Sequence, residues 1–203
     1  MATLENLTTL AAGDDIEALL ECCEEFELDL GHTTAAPQAS LDVYKIHMAA
    51  YLLCEQLENA RFLWKRVKGT AASQDPELGA LWSIGKAMWG REPAQAQAAM
   101  VAHPWSQSVI ARLVARLQHE HLQRSFDGLA RAYSLISADA LAAILGISVD
   151  KVHEMANAAG WTVDAESGAY APSVAEAPKG KPELMQQLSI LTDYVAHMEK
   201  EVK

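Results

Sequence analysis

The sequence predicts a mostly α-helical protein: a TPR/HEAT-like helical-repeat solenoid, then a winged-helix module, then a C-terminal helix. Four patterns predict it. Through the first two-thirds of the 203 residues, apolar side chains recur with helical period. Helix starts fall near residues 40, 76 and 106, a period of roughly 30–36 residues that suits stacked antiparallel helix pairs. Residues 132–174 run helix, short turn, helix and β-hairpin, the order of a winged helix-turn-helix. Residues 182–203 carry an unbroken heptad seam. The organisation is therefore helical repeats over 1–131, a winged helix over 132–174, a linker over 175–181 and a final helix over 182–203.

Each element has its own signal. Asp14 with Glu17 makes a capping-box-like start, and Ile16, Leu19, Leu20, Cys23 and Phe26 line one helical face. Residues 31–39 break that helix. Ser40 can cap the next, whose line runs Leu41, Tyr44, Met48, Tyr51, Leu52 and Glu55. After a tight turn, Leu57, Ala60, Leu63, Trp64 and Val67 form another stripe. Asp75-Pro76 sets an N-cap and a first-turn proline ahead of Leu78, Leu81, Trp82, Gly85 and Trp89. Pro93 starts an alanine-rich helix, and Ser106 caps a longer one through Ile110, Leu113, Val114 and Leu117. Large aromatics at such spacing (Trp64, Trp82, Trp89, Trp105) are expected in core or inter-helix packing.

Beyond residue 132 the signals change. Ser137 and Asp139 open a helix over 138–145 that Gly146 ends, and Ser148 opens a second over 149–159 that Gly160 ends. Trp161, Thr162 and Val163 alternate as a strand, Glu166 to Gly168 turn, and 169–174 return. After the linker, Pro182 starts a helix whose Leu184, Leu188, Leu191, Val195, Met198 and Val202 are spaced 4, 3, 4, 3, 4. An isolated helix of about 20 residues is marginal in water, so this seam needs cover. Either another chain supplies it or the helix packs back on its own solenoid.

Composition narrows the function. The net charge of −11 is concentrated at one end, because residues 1–44 hold ten Asp or Glu and no Lys or Arg. A face carrying Asp14, Asp15, Glu17, Glu21, Glu24 and Glu25 repels phosphates; it is either a solvated helix face or a dock for a basic partner. The three cysteines, two of them adjacent at Cys22 and Cys23, suit neither a disulfide framework nor a zinc site. The opening MATLENLTTL has no basic or apolar signal region, so secretion is not expected, and no apolar run reaches membrane-spanning length.

The chain offers no catalytic constellation. It has no GxGxxG, no GxxxxGK[ST] and no GxSxG elbow. His119-Glu120-His121 invites a metal, but residues two apart on a helix point to different faces. The second helix of the winged unit carries Asp150, Lys151 and Glu154, net −1, where a major-groove reader needs Arg or Lys. A protein–protein module fits it better than a DNA reader.

Several blocks carry a resemblance. Residues 60–66 (ARFLWKR), 78–85 (LGALWSIG) with Trp89, Trp105-Ser106, 132–137 (AYSLIS), Leu145-Gly146, 160–164 (GWTVD) and 191–196 (LTDYVA) are similar, in order, to the smallest-subunit family (subunit 8) of the constitutive photomorphogenesis 9 (COP-9) signalosome. The resemblance covers about residues 57–199; residues 1–40 match no motif of it. It implies a PCI domain, formed by the winged helix and the preceding helices, in a non-catalytic scaffold subunit of a hetero-oligomer. The complex removes the ubiquitin-like Nedd8 from cullins through a different, metal-dependent JAMM subunit. His119 to His121 departs from the JAMM signature, with Leu129 where a serine is required.

The resemblance further implies PCI partners that join through winged-helix edges and a shared C-terminal helical bundle. That puts Trp161 and Val163 at the edge and Leu184, Leu188, Leu191, Val195 and Met198 in the bundle. No cofactor, metal, nucleic acid or membrane is expected, and the location implied is cytoplasm and nucleus. The alternatives are a homologous subunit of the proteasome lid or of translation initiation factor three, and then a winged-helix nucleic-acid binder.

Overall fold

A computed structural model of the chain describes residues 4–13, 15–30, 37–105, 108–164, 168–172 and 188–192, with Tyr194 and His197. The chain is mostly helical. Its elements are α1 (Leu4–Leu10), α2 (Ile16–Leu30), α3 (Pro37–Leu53), α4 (Leu57–Val67), a 3-10 turn (Ala71–Gln74), α5 (Pro76–Trp89), α6 (Pro93–Ala102), α7 (Ser108–Ala132), α8 (Ala138–Leu145), α9 (Val149–Ala158), β1 (Thr162–Val163) and β2 (Tyr170–Ala171). Residues 188–192 are helical too.

The starts follow from caps, with shifts from expectation. Helix α2 begins one residue later than the capping-box reading: Asp15 accepts a hydrogen bond from the Ala18 amide at 3.0 Å, and Asp14 lies outside the described residues. Helix α3 begins at Pro37, so Ser40 is inside its first turn and not its cap. The proline needs no amide partner there and its fixed φ suits the first turn. Glu55 is not on the line of α3; it sits after the helix at φ 57°, in the turn that reverses the chain into α4. Asp75 caps α5 as expected, accepting from the Leu78 amide at 2.9 Å, with Pro76 in the first turn. Ser106 lies outside the described residues.

Consecutive helices pack on one another from α1 through α7, and α3 also meets α1, α5 and α7. Helix α3 is therefore buried on nearly all sides. Val43, Lys45, Ile46, His47, Met48, Ala49, Ala50, Tyr51, Leu52 and Leu53 are all interior. Lys45 is held there by Glu77 at 2.9 Å and Asp75 at 3.1 Å, which ties α3 to the start of α5. Gly85 lets α5 close on α3: a Cβ there would lie 3.1 Å from Leu52 Cδ2.

Two cores share one helix. The first gathers α1 to α6 around Ile110, Leu113, Val114 and Leu117 of α7. The second gathers α8, α9 and the hairpin around Leu122 and Phe126, on the later half of the same helix. Residues 138–163 form as the caps dictate. Ser137 accepts from the Ala140 amide and Ser148 from the Lys151 amide, while Gly146 and Gly160 end their helices at φ 68° and 69°. Strands β1 and β2 pair antiparallel, Thr162 with Ala171 and Val163 with Tyr170. Ile136 bridges the far side of β2, exchanging both backbone hydrogen bonds with Tyr170 at 3.0 and 2.8 Å.

Candidate protein interface

Among the described residues the hairpin leaves an open edge. In an antiparallel ladder alternate residues point their backbone groups to opposite sides. Tyr170 spends its N–H and C=O on Ile136, so Val163 opposite it aims its own N–H and C=O away from β2. Val163 is 57 % exposed there, and Leu135, next to Ile136, is exposed as well. A bare edge strand of this kind is a template for pairing with another chain. Trp161 is different. Its side chain is only 6 % exposed, stacks on Phe126 with centroids 4.3 Å apart and meets Tyr170 edge-on. It anchors the hairpin to α7 and does not itself line the edge. Expecting it at the edge missed Phe126, 35 residues upstream, which covers the indole.

The tail presents a second apolar surface. Leu188, Ile190, Leu191 and Tyr194 are each 56–68 % exposed, so more than half of each side chain is left uncovered by the chain's own helices. Leu184, Val195 and Met198 lie outside the described residues. Clustered exposed apolar residues mark interaction sites, because an exposed Leu forgoes the roughly 1.5–3 kcal/mol that burial would return.

The remaining candidate residues are engaged structurally. Glu24 accepts from the Tyr51 hydroxyl at 3.0 Å, and Glu27 takes a bidentate pair from Arg66 at 2.8 Å, so part of the acidic α2 holds α2 onto α3 and α4. Glu17, Glu21 and Glu25 remain exposed. Burial pushes the Cys23 thiol up to about 12, which makes it a poor nucleophile. Glu120 bridges Arg116 at 2.7 Å and Arg124 at 2.8 Å. His119 lines a groove of about 340 Å³ between α7 and α9 with Leu122, Lys151, Glu154 and Met155. His121 is half-buried, which pulls its pKa down. Among the described residues no three His, Cys, Asp or Glu side chains converge as metal ligands. On α9, His153 hydrogen-bonds the Tyr170 hydroxyl, so that helix spends a polar side chain on the hairpin.

Sequence reasoning missed a third surface, where Arg61 lies over the Trp89 ring and Lys65 over Phe62. Trp89, expected in packing, is half exposed, whereas Trp64 and Trp82 stack between α4 and α5 at 5.7 Å. The Phe62-to-Lys65 spacing of three residues was the available signal.

The sequence model of the CSN8/PSMD8/EIF3K family matches residues 38–181, from α3 through the hairpin and beyond it. The chain belongs to that family. It is similar to the COP9 signalosome complex subunit 8 of Xenopus laevis, 36 % identical over 184 residues, covering 90 % of this chain and 92 % of that protein. The Danio rerio protein of the same name is 34 % identical over 90 % of this chain and 94 % of its own length. The Arabidopsis thaliana protein of that name is 33 % identical over 77 % of this chain and 79 % of its own. Within a family whose description joins three names, these relatives are signalosome subunits.

Proposed function

We propose that this chain is a non-catalytic scaffold subunit of the COP-9 signalosome, the complex that removes Nedd8 from cullin–RING ubiquitin ligases. The observation that carries the reading is the uncovered apolar tail, Leu188, Ile190, Leu191 and Tyr194, on a chain akin to signalosome subunits. In this reading α1 to α7 are the helical-repeat arm, and 132–174 are the winged helix completing a PCI domain with the helices before it. Residues 175–181 are the linker, and 182–203 are a helix that enters a bundle of partner subunits. Leu184, Val195 and Met198 extend the Leu188–Leu191 seam. The Val163 edge pairs with a neighbouring PCI subunit, and Trp161 holds that edge in place. The scaffold acts by position: it presents an edge and, across the linker, a bundle helix, and the cleavage chemistry belongs to another subunit. The complex works in cytoplasm and nucleus.

Mass spectrometry of a complex co-purified with a tagged copy tests the assembly. Signalosome subunits are expected; proteasome-lid or initiation-factor subunits in their place would move the chain to another branch of its family. Changing Leu188 and Leu191 together to Asp tests the tail. Two charges buried in an apolar helix interface cost several kcal/mol, so the variant should fail to join the complex while the isolated chain keeps its helicity and melting. A destabilised isolated chain that still assembles would defeat the bundle reading.

A further inference from the structure

The surface formed by α4 and α5 joins cations to half-exposed aromatic rings. Along α4, Arg61 and Lys65 stand at i and i+4 on one face, and Lys68 follows as the extended residue that caps the helix. On α5, Lys86 and Trp89 share a face at i, i+3. Phe62 and Trp89 are 51 % and 50 % exposed. The Arg61 guanidinium sits 5.8 Å from the Trp89 ring centre, and the Lys65 ammonium 5.5 Å from that of Phe62. Among the described residues no carboxylate lies within ion-pair distance of Arg61, Lys65, Lys68 or Lys86. Glu58 is the acid on this side of α4.

Several other cations are neutralised: Arg66 by Glu27, Lys45 by Asp75 and Glu77, Arg124 by Glu120 and Glu55. Arg91, Arg112, Arg131 and Lys151 are exposed without an ion pair among the described residues, but of the described cations only Arg61 and Lys65 lie over aromatic rings. Here four cations are left facing solvent, and two of them rest on large rings that are themselves half exposed. The rings fix the direction of the charges, and the charges leave most of their donors outward.

We infer that the Arg61–Phe62–Lys65–Trp89 surface docks an acidic peptide segment of a partner protein, one that carries aromatic or aliphatic residues between its carboxylates. Carboxylates would take the outward donors of Arg61 and Lys65 as charge-assisted hydrogen bonds, and an apolar side chain would cover the open faces of Phe62 and Trp89. Charge complementarity selects this occupant. A nucleic acid would also meet the cations, but a long polyanion running past the patch enters the field of an otherwise acidic molecule. Screening is effective only beyond about 8 Å at physiological ionic strength. A short acidic segment ends where the patch ends.

The test uses the full-length chain and a fluorescein-labelled peptide of glutamates interspersed with phenylalanines, followed by anisotropy. Saturable binding that weakens as salt rises from about 50 to about 300 mM is expected. Arg61→Glu with Lys65→Glu should weaken it roughly tenfold or more through like-charge juxtaposition. The milder Trp89→Ser and Lys65→Gln should each weaken it severalfold with helicity retained; Lys65→Gln, at an exposed side chain, should leave melting unchanged as well. A peptide with lysine in place of glutamate should not bind. The inference is overturned if affinity is unmoved by the charge reversals or by Trp89→Ser. A single-stranded oligonucleotide of equal charge that displaces the peptide at lower concentration would overturn it too. So would a chain that self-associates in sedimentation equilibrium through the same residues. None of these readouts depends on assembly into the signalosome.

Discussion

Gly146 and Gly160 form a matched pair that isolates the seating of α8 on α6. Both end a helix in the left-handed region, at φ 68° and 69°. They differ in what surrounds them. A Cβ on Gly160 meets nothing within 4 Å, whereas a Cβ on Gly146 would lie 2.8 Å from Ala94 Cα, 3.1 Å from its Cβ and 3.1 Å from its carbonyl oxygen. Gly160→Ala therefore carries only the left-handed penalty, about 1–2 kcal/mol. Gly146→Ala adds overpacking against backbone, about 1–3 kcal/mol more. The entropy that alanine removes from the unfolded chain is common to both and cancels in the difference. Equilibrium urea unfolding of the two variants and the parent should show Gly146→Ala as the more costly by that margin. Ala94→Gly in the Gly146→Ala background should recover only part, since the backbone of residue 94 would still crowd the new methyl at 2.8 Å. Equal costs for the two glycines would refute the close seating of α8 on α6.

Other perturbations read other parts of the molecule. Trp161→Ala removes the ring stacked on Phe126 and should cost about 3–5 kcal/mol; a loss under about 1 kcal/mol would show that the hairpin is held by something else. Lys45→Met takes the ammonium from two carboxylates, the buried Glu77 and the half-buried Asp75, and should cost about 3–5 kcal/mol in the same assay. His47 is fully buried, and burial lowers its pKa to about 4. Its folded form is neutral while the unfolded chain, at the ordinary 6.5, binds a proton. Stability is thus full above pH 6.5 and falls by about 3 kcal/mol as pH drops to about 4. His47→Phe should flatten that limb of the stability–pH curve, and an unchanged limb would assign it to other groups.

The parts legible in the sequence are those written locally. Ser137, Gly146, Ser148 and Gly160 bound α8 and α9 because a cap needs only its own turn, and Asp75-Pro76 fixes α5 for the same reason. Helix α3 was legible as a helix but not as a central one. Its apolar line hid the burial of Lys45 and His47, since a period-3.6 pattern shows one face and α3 is covered on several. Helix α1 carries too short an apolar pattern to stand out; Leu7 becomes core only because α2 and α3 lie beside it. Leu188 and Leu191 stand out in the sequence because a heptad seam is itself periodic. Trp161 was not, because its partner Phe126 is distant in sequence and a strand-like WTV triplet reads the same whether its tryptophan points inward or out. The cations over Phe62 and Trp89 went unread because Arg61 and Trp89 sit on different helices, and only the packing of α4 on α5 brings them together.

Helix α7 has a consequence for how this protein can be divided. Twenty-five residues make a rod roughly 37 Å long, and the two cores claim different stretches of it, Ile110 to Leu117 for one and Leu122 to Phe126 for the other. A fragment cut after residue 131 would keep the rod but strip Leu122 and Phe126 of their cover, leaving a greasy stub. A fragment beginning at residue 132 would carry Trp161 with no ring to lie on. Neither piece inherits a finished interior. Any recombination, truncation or graft that borrows the hairpin must take the rod with it, so the smallest transferable unit begins upstream of Leu122 and not at residue 132.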